Sequence, residues 1–306
     1  MTRTPERLWA GLDLGGTGTR AVLVDEDGVV VAGDMVQTSS FAANALDQLA
    51  TLVRGLVPSG GVLAGVGVGA SGPVDLITGT ICNPDTLPQF TGLDVAGGLS
   101  ERLAVEAWID NDAVVAGLAE DKWGDAAGAS SILCVTLGTG VGVVLVQDGR
   151  PVRAADGQHA EGGHIPVPGE GSPCYCGLEQ CWEQVASRTV LDRLQASPGG
   201  TSSEVWDDYG TRVASGLVTL VTLYHPAAIV IGGSVARHWN NLERPLRAAL
   251  AGSREFGPHT LLGASQLGDR AGALGATLLS RRRIGFRHGR ATAPDLSEDP
   301  RHDDHP

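Results

Sequence analysis

Apolar residues gather in short runs along this chain, and one arrangement of those runs occurs twice. In residues 14–28 an apolar run ends in a Gly/Thr turn, a second apolar run follows, and the segment closes on Asp27-Gly28. Residues 137–149 repeat this order and close on Asp148-Gly149. Because Asp-Gly between apolar runs is typical of a β-hairpin, each copy predicts a strand, a glycine turn, a second strand, a hairpin and a third strand.

Helical periodicity alternates with further apolar runs outside the two copies. The pattern predicts helices over residues 41–56, 99–103, 113–121, 205–224 and 271–279, and strands over residues 62–68, 105–109 and 228–231. This alternation predicts an α/β protein, and the repeat predicts two related domains that face each other across a cleft. We assign residues 1–112 to an N-terminal domain and residues 113–282 to a C-terminal domain whose last helix packs back on the first. Residues 283–306 turn polar and predict a disordered tail.

Composition and charge narrow the classes of protein. The net charge of −13 argues against a nucleic-acid-binding surface, and no apolar run of about 18 residues predicts a membrane span. Arg3, Glu6 and Arg7 stand where the apolar part of a secretion signal would begin. The 5 cysteines are an odd number in a chain without such a signal, which favours the reducing cytoplasm over a disulfide framework.

The two glycine turns are the first candidates for chemistry. Residues 16–21 match a weak dinucleotide motif, but that motif and the P-loop need a helix after the glycines, and here a β-rich run follows. Backbone N–H groups in such turns bind anions, and the hydroxyls of Thr17, Thr19 and Thr139 add donors. Asp13, at the end of the first strand, could orient Mg²⁺ through water. Ordinary hairpin turns are the alternative for either copy alone.

A polar cluster, Asp110-Asn111-Asp112, stands where a predicted strand ends and a helix begins. A carboxylate there can accept the proton of a hydroxyl that attacks a phosphate. Asn and Asp are also common helix caps, so the residues alone leave capping open.

One histidine and three cysteines form a candidate metal site. His164, Cys174, Cys176 and Cys181 follow one another at spacings of ten, two and five, which fits a Cys₃His zinc site closed by four protein ligands. Gly171 and Gly177 permit tight turns between the ligands. Such a site has no open position for a catalytic water, so its expected role is to hold a loop rigid. A disulfide or plain buried thiols remain alternatives.

Two glutamates flank the candidate zinc site. If zinc holds the segment together, Glu161 and Glu183 come close to each other, and their paired carboxylates could bind the hydroxyls of a polyol. Without zinc, the alternative is that both are ordinary surface residues. A third glycine turn, at Gly232-Gly233, follows the strand 228–231 and could lie under an adenosine.

Together these residues resemble the ROK family (repressors, open reading frames and sugar kinases) of the actin-like ATPase superfamily. The resemblance runs from about Leu8 to Leu279, and its most specific part is the segment from Glu161 to Glu183. It implies the two-domain actin-like (ribonuclease H-like) ATPase fold, with a cleft between domains. It also implies an ATP-dependent sugar kinase that acts on the 6-hydroxyl of a hexose, with glucose as first choice, and assembly as a homodimer or homotetramer.

The resemblance also implies roles for residues. Asp112 would be the catalytic base, and the sugar would be bound by Gly72, Asn111, Asp112, Glu161, His164 and Glu183. Structural Zn²⁺ would be held by His164, Cys174, Cys176 and Cys181. ATP and Mg²⁺ would be bound by Asp13, Gly15, Gly16, Thr17, Thr19, Gly138, Thr139, Gly140, Gly232 and Gly233.

Some positions depart from the family pattern, and rival functions remain. Gly18 stands where many members have a basic or amide residue, Thr86 replaces an asparagine of the sugar loop, and Ser71 replaces a proline. Other substrates open to this family are N-acetylmannosamine, N-acetylglucosamine, fructose and mannose. Rivals are a sugar-sensing regulator, which the short segment before the first turn and the acidic charge disfavour, a non-catalytic binding module, and a kinase that uses polyphosphate.

Overall fold

The computed structural model describes residues 6–41, 44–169, 172–197, 203–257 and 260–284. Its strands are β1 (Arg7–Leu14), β2 (Gly18–Val24), β3 (Val30–Gln37), β4 (Val62–Ala70), β5 (Val74–Asp75), β6 (Thr80–Ile81), β7 (Ala107–Asn111), β8 (Ser131–Leu137), β9 (Val141–Gln147), β10 (Arg150–Pro151), β11 (Ala228–Gly232) and β12 (Leu261–Ala264). Its helices are α1 (Ala45–Leu56), α2 (Val95–Leu103), α3 (Asp112–Trp123), α4 (Trp182–Ala186), α5 (Arg188–Ala196), α6 (Ser203–Tyr224), α7 (Trp239–Leu250) and α8 (Ala271–Arg282).

The strands form two five-stranded sheets of the same design. The first has the order β3-β2-β1-β4-β7 and the second β10-β9-β8-β11-β12. In each sheet the three strands that come first in the chain are antiparallel neighbours. The remaining two strands run parallel to β1 in the first sheet and to β8 in the second. The predicted internal repeat is therefore confirmed, and each glycine turn joins the first two strands of its sheet.

The two Asp-Gly hairpins differ in their turn geometry. Asp148 and Gly149 have φ values of +50° and +74°, the left-handed pair of a type I′ turn. They connect Gln147 and Arg150, which pair directly. In the first copy the loop is longer, and the Asp25 carboxylate accepts hydrogen bonds from the N–H groups of Asp27 and Val29 at 3.0 and 2.8 Å.

Strand register brings the polar cluster to the same edge of the sheet as the first turn. Asp13 pairs with Gly69 across β1 and β4, and Gly69 pairs with Asp110 across β4 and β7. The three strands are parallel, so their carboxyl ends lie side by side, the usual position of ligand sites in α/β sheets. The first glycine turn, which follows Leu14, and the start of α3 are thus neighbours.

Helices α3 and α8 lie between the two sheets and pack on each other. Helix α8 also packs on β1 and β4, as predicted for the last helix, while α3 packs on β8 and β9. The backbones approach closely: a side chain at Gly11 would collide with the carbonyl of Ala273, and one at Gly275 with the carbonyl of Val115. Helix α3 is buried on all sides over residues 113–120, as expected of a helix enclosed between layers. The domain boundary at residue 112 stays a prediction.

Element boundaries differ from the predictions in places. Helix α1 begins at Ala45, not Phe41, because Phe41 has the extended conformation with φ −72° and ψ 136°. Helix α2 begins earlier than predicted, since Asp94 caps it by accepting a hydrogen bond from Gly97 N–H at 2.8 Å. Helices α4, α5 and α7 and strand β12 were not predicted. Gly171 and residues 285–306 of the predicted tail lie outside the described residues. None of the described helices has the length and apolar character that crossing a bilayer requires.

Candidate active site

The first glycine turn is supported by Thr38, a residue that the sequence patterns did not indicate. Thr38 donates its hydroxyl to the carbonyl of Gly15 at 2.5 Å and its N–H to the carbonyl of Thr17 at 3.2 Å. The hydroxyl of Thr19 lies 3.1 Å from that of Thr38, and Thr19 is fully buried. The hydroxyl of Thr19 therefore supports the turn, and its role as a phosphate donor stays a prediction. Gly16 and Thr17 are exposed and keep their donors available.

Asp13 carries a carboxylate that lacks full charge compensation. Burial raises its pKa to about 7, Asp112 and Asp269 add to the rise, and Arg20 opposes it. The carboxylate lies against Gly272 in the first turn of α8. A half-buried anion of this kind is stabilised by a cation, so the surroundings of Asp13 fit the predicted metal role.

Arg20 brings positive charge to the first turn. It pairs with Asp13 across β1 and β2, and its Nη2 lies 3.3 Å from Oδ2 of Asp269. Arg237 contacts the same carboxylate from the 3₁₀ helix that follows the third glycine turn. Hydrogen bonding by Arg237 lowers the pKa of Asp269. Arg20 stands out in the sequence as a charged residue within an apolar strand, and this signal was not used.

Asn111 and Asp112 lie at the start of α3 and share one backbone donor. The Asn111 side chain caps α3 by accepting the N–H of Ala113 at 2.8 Å. One oxygen of Asp112 accepts the same N–H, and the other accepts the hydroxyl of Ser71 at 2.9 Å. Burial raises the pKa of Asp112, while the bonds from Ser71 and Ala113 oppose that rise. The capping alternative is thus met by Asn111, and Asp112 keeps an oriented carboxylate.

The loop after β4 links the polar cluster to the first turn. The amide of Asn83 donates to the carbonyl of Gly72 at 2.6 Å, and its oxygen accepts the N–H of Thr86 at 2.9 Å. The Thr86 methyl group in turn lies against Gly16, while Gly72 lies against the amide of Asn111. Residues predicted for sugar and for phosphate are thereby connected through one short loop.

A buried ion pair joins the second half of the chain to β7. Asp110 is fully buried and pairs with Arg153, which also donates to the carbonyl of Gly157 at 2.9 Å. The amide of Gln158 donates to the carbonyl of Val74 at 3.2 Å. These contacts anchor the segment that ends at Glu161, a residue predicted for sugar binding. The charge of Glu161 adds to the rise in the pKa of Asp112. Sequence spacing gave no signal for this pair.

The four predicted zinc ligands converge. The ligand atoms of His164, Cys174, Cys176 and Cys181 lie within 4.8 Å of one another, and none of the cysteines is in a disulfide. Nδ1 of His164 lies 3.6 Å from Sγ of Cys174 and of Cys181. Tetrahedral zinc, with Zn–N of about 2.0 Å and Zn–S of about 2.3 Å, needs ligand separations of about 3.6 Å. The donor set and geometry fit zinc.

Glu183 connects this segment to the second glycine turn. Its Oε2 accepts the N–H of Val141 at 3.1 Å, at the point where the turn enters β9. The turn is closed by a hydrogen bond from Gly138 N–H to the carbonyl of Gly140 at 3.0 Å, and Thr139 is exposed at its tip. Glu183 therefore supports a predicted phosphate turn as well as standing in the predicted sugar site.

The third glycine turn lies beside the second. Gly233 has φ +75°, and a side chain there would collide with the backbone of Leu137, the residue before the second turn. Gly232 pairs with Thr136 across β11 and β8. The predicted adenosine turn and phosphate turn are thus adjacent, as binding of one nucleotide requires.

Comparisons with known proteins agree with this arrangement. A glucokinase of Streptomyces coelicolor is 29% identical, covering 90% of this chain and 98% of its own. The structure of a ROK family glucokinase from Streptomyces griseus with glucose and AMPPNP matches with TM-score 0.77 at 28% identity, covering 90% of this chain and 99% of that one. A ROK hexokinase from Thermus thermophilus matches with TM-score 0.76 at 29% identity, with coverages of 90% and 98%. The predicted two-domain actin-like fold is confirmed. Residues 9–283 match the ROK family, and the chain therefore belongs to the ROK family.

Proposed function

We propose that this chain is an ATP-dependent sugar kinase that transfers the γ-phosphate to the 6-hydroxyl of a hexose, with glucose as the first candidate. The observation that carries the proposal is the Asp112 carboxylate, half-buried and oriented by Ser71 at the edge of the sheet where the first glycine turn lies. The relatives named glucokinase support glucose.

Asp112 acts as the general base in this proposal. One oxygen is held by the Ala113 N–H and the other by the Ser71 hydroxyl, so the carboxylate has a fixed direction before the sugar enters. Orientation within hydrogen-bond reach of the reacting hydroxyl is the first requirement for proton transfer. The pKa of Asp112 is raised by burial, which makes the carboxylate a stronger base than an exposed aspartate.

The sugar is gripped by residues from both halves of the chain. Asn111 and the backbone at Gly72 supply one side, and Glu161, His164 and Glu183 supply the other. Because Arg153 anchors the segment before Glu161 to the buried Asp110, the two sides keep a defined separation. Exclusion of water from this space limits transfer of the phosphate to water.

The phosphates lie between the two glycine turns in this proposal. The backbone at Gly15, Gly16, Gly138 and Gly140 would line the phosphate site. The N–H groups of Gly16 and Gly140 and the exposed hydroxyls of Thr17 and Thr139 would contact the phosphates, since the N–H groups of Gly15 and Gly138 close their own turns. Arg20 adds positive charge at the first turn. Asp13 would hold Mg²⁺ through water, and the ion would neutralise charge that develops on the phosphates. Gly232 and Gly233 would lie under the adenosine.

Zinc has a structural role in this proposal. His164, Cys174, Cys176 and Cys181 would fill all four positions of a tetrahedral site, which leaves none for a catalytic water. The ion would fix the loop that carries His164 and place Glu183 against the second turn.

Assembly as a dimer or tetramer stays a prediction, and light scattering coupled to size-exclusion chromatography tests it.

The function is tested by ADP release with MgATP against glucose, fructose, mannose, N-acetylglucosamine and N-acetylmannosamine, with zinc content measured on the same sample. We expect turnover on glucose, about one zinc per chain, and glucose 6-phosphate as the product. The Asp112→Asn variant should bind the sugar and lose turnover by about 10³-fold or more. Sugar binding without turnover by the unaltered protein would support a non-catalytic module instead.

A further inference from the structure

One aromatic residue inside the cysteine motif contacts a predicted sugar ligand. Tyr175 lies between Cys174 and Cys176, and its Oη lies 2.9 Å from Nε2 of His164. The two rings meet edge to face, with centroids 5.0 Å apart and planes at 80°. The side chain is otherwise open, since Tyr175 is 78% exposed. A large aromatic residue exposed to this degree is not part of a core.

The histidine has only one free donor for this contact. Nδ1 faces the thiols of Cys174 and Cys181 at 3.6 Å, so Nδ1 is the atom that would bind zinc. A neutral imidazole that ligates through Nδ1 carries its single N–H at Nε2. With zinc at Nδ1, Nε2 would donate to the Tyr175 oxygen 2.9 Å away, and the same N–H could not donate to a sugar hydroxyl at the same time.

The tyrosine hydroxyl meets the predicted sugar site at His164. His164 is one of the three residues that the proposed function assigns to one side of the sugar. A phenolic oxygen and a sugar hydroxyl offer the same hydrogen-bonding groups to the imidazole.

We infer that Tyr175 is a specificity-determining residue whose hydroxyl occupies the place of a sugar hydroxyl at His164 Nε2 and is displaced when the sugar binds. The inference rests on the proposed function. A sugar must then exchange one hydrogen bond for another, and only a sugar that presents a hydroxyl at this point recovers the lost bond. Tyr175 thereby lowers affinity for all sugars and lowers it most for those without that hydroxyl.

The first test is sugar binding by calorimetry on the zinc-loaded full chain, without nucleotide. Tyr175→Phe keeps the ring and removes the competing oxygen, so we expect glucose to bind about threefold to tenfold more tightly, as loss of one competing hydrogen bond implies. Tyr224→Phe is the matched control, because Tyr224, at the end of α6, packs against the apolar core that α6 forms with the second sheet, and it should leave glucose affinity unchanged. Weaker or unchanged binding by Tyr175→Phe with full zinc content would overturn the inference.

The second test observes the displacement directly. The chain has 3 tyrosines, so protein labelled with ¹³C at tyrosine Cζ gives three signals, and the one missing in Tyr175→Phe belongs to Tyr175. We expect this signal to shift at saturating glucose while the other two remain. Binding that leaves it in place overturns this inference and spares the proposed function. No binding of any sugar overturns both.

Discussion

Ser71 donates its hydroxyl to Asp112 at 2.9 Å, although 41 residues separate them. Ser71 follows β4 and Asp112 follows β7, and because these strands are parallel neighbours the residues after them meet. The bond favours the charged form of Asp112 and opposes the effect of burial. The serine therefore helps to set the pH range in which the proposed base is ionised.

Removal of this bond should change the pH dependence of turnover. Asp112 must be ionised to accept a proton, so kcat/KM falls as the pH drops through its pKa. In Ser71→Ala that pKa rises further, and we expect the acid limb of the kcat/KM profile to move to higher pH. At neutral pH kcat/KM should fall about tenfold, a typical effect of losing a hydrogen bond to a charged group. A profile of unchanged shape would contradict this, and Ser40→Ala, at an exposed hydroxyl, is the control.

Removal of the Asp13 charge should stabilise the folded chain. Its pKa is raised from 3.8 to about 7, mainly by burial, so its contribution to stability is fully present below about pH 4 and is lost as the pH rises through 7. Asp13→Asn abolishes this loss. We expect the free energy of unfolding without Mg²⁺ to rise by about 2 kcal/mol at pH 8, which is less than the full shift implies because Asp13 keeps some contact with solvent.

The test of Asp13 is urea unfolding at pH 5 and pH 8. The gain in stability of Asp13→Asn should be smaller at pH 5, and turnover with MgATP should fall by at least about 10²-fold. Equal stability of the two proteins at pH 8 would show that the carboxylate is compensated in the folded chain.

Loss of one thiol should release the proposed zinc and loosen the loop that carries His164. Cys181 is fully buried, and burial raises the pKa of its thiol to about 12, so a bound cation is needed to hold it as a thiolate. Cys181→Ser should lose zinc, lower the melting temperature by on the order of 5 °C and weaken sugar binding. Cys82→Ser, at an exposed thiol, is the control. Full zinc content in Cys181→Ser, measured by atomic absorption, would refute the four-ligand assignment.

Removal of Arg153 from its buried ion pair with Asp110 should strongly lower the free energy of unfolding. In Arg153→Met, Asp110 keeps its charge at a fully buried position without its partner, and we expect a loss of about 3 kcal/mol in unfolding free energy. Arg244→Met removes an exposed pair with Asp207 and should cost less than about 0.5 kcal/mol. Glucose affinity should fall only in Arg153→Met, since Glu161 loses its anchored segment. Equal stability losses in the two variants, by denaturant titration, would argue that Asp110 is solvated.

Much of the architecture was predictable from local patterns. The repeat of apolar runs and glycine turns predicted the equivalent strand units, because hairpin formation depends on residues adjacent in the chain. The Cys₃His spacing predicted the cluster around His164 because its ligands lie within 18 residues of one another. The position of Asp112 at the start of α3 followed from the polar cluster after an apolar run.

Only the tertiary structure decided which polar groups meet across the fold. Thr19 was expected among the phosphate donors, yet packing of Thr38 under the turn takes its hydroxyl. Ser71, Arg153 and Tyr175 carry no local signature, because each acts through a partner on another strand or loop. The sequence by itself determined the turns, the cluster of proposed metal ligands and the position of the proposed base. Burial and strand register decided how those groups are oriented, which of them are charged, and which neighbouring side chains compete for their hydrogen bonds. Both depend on contacts between residues far apart in the chain.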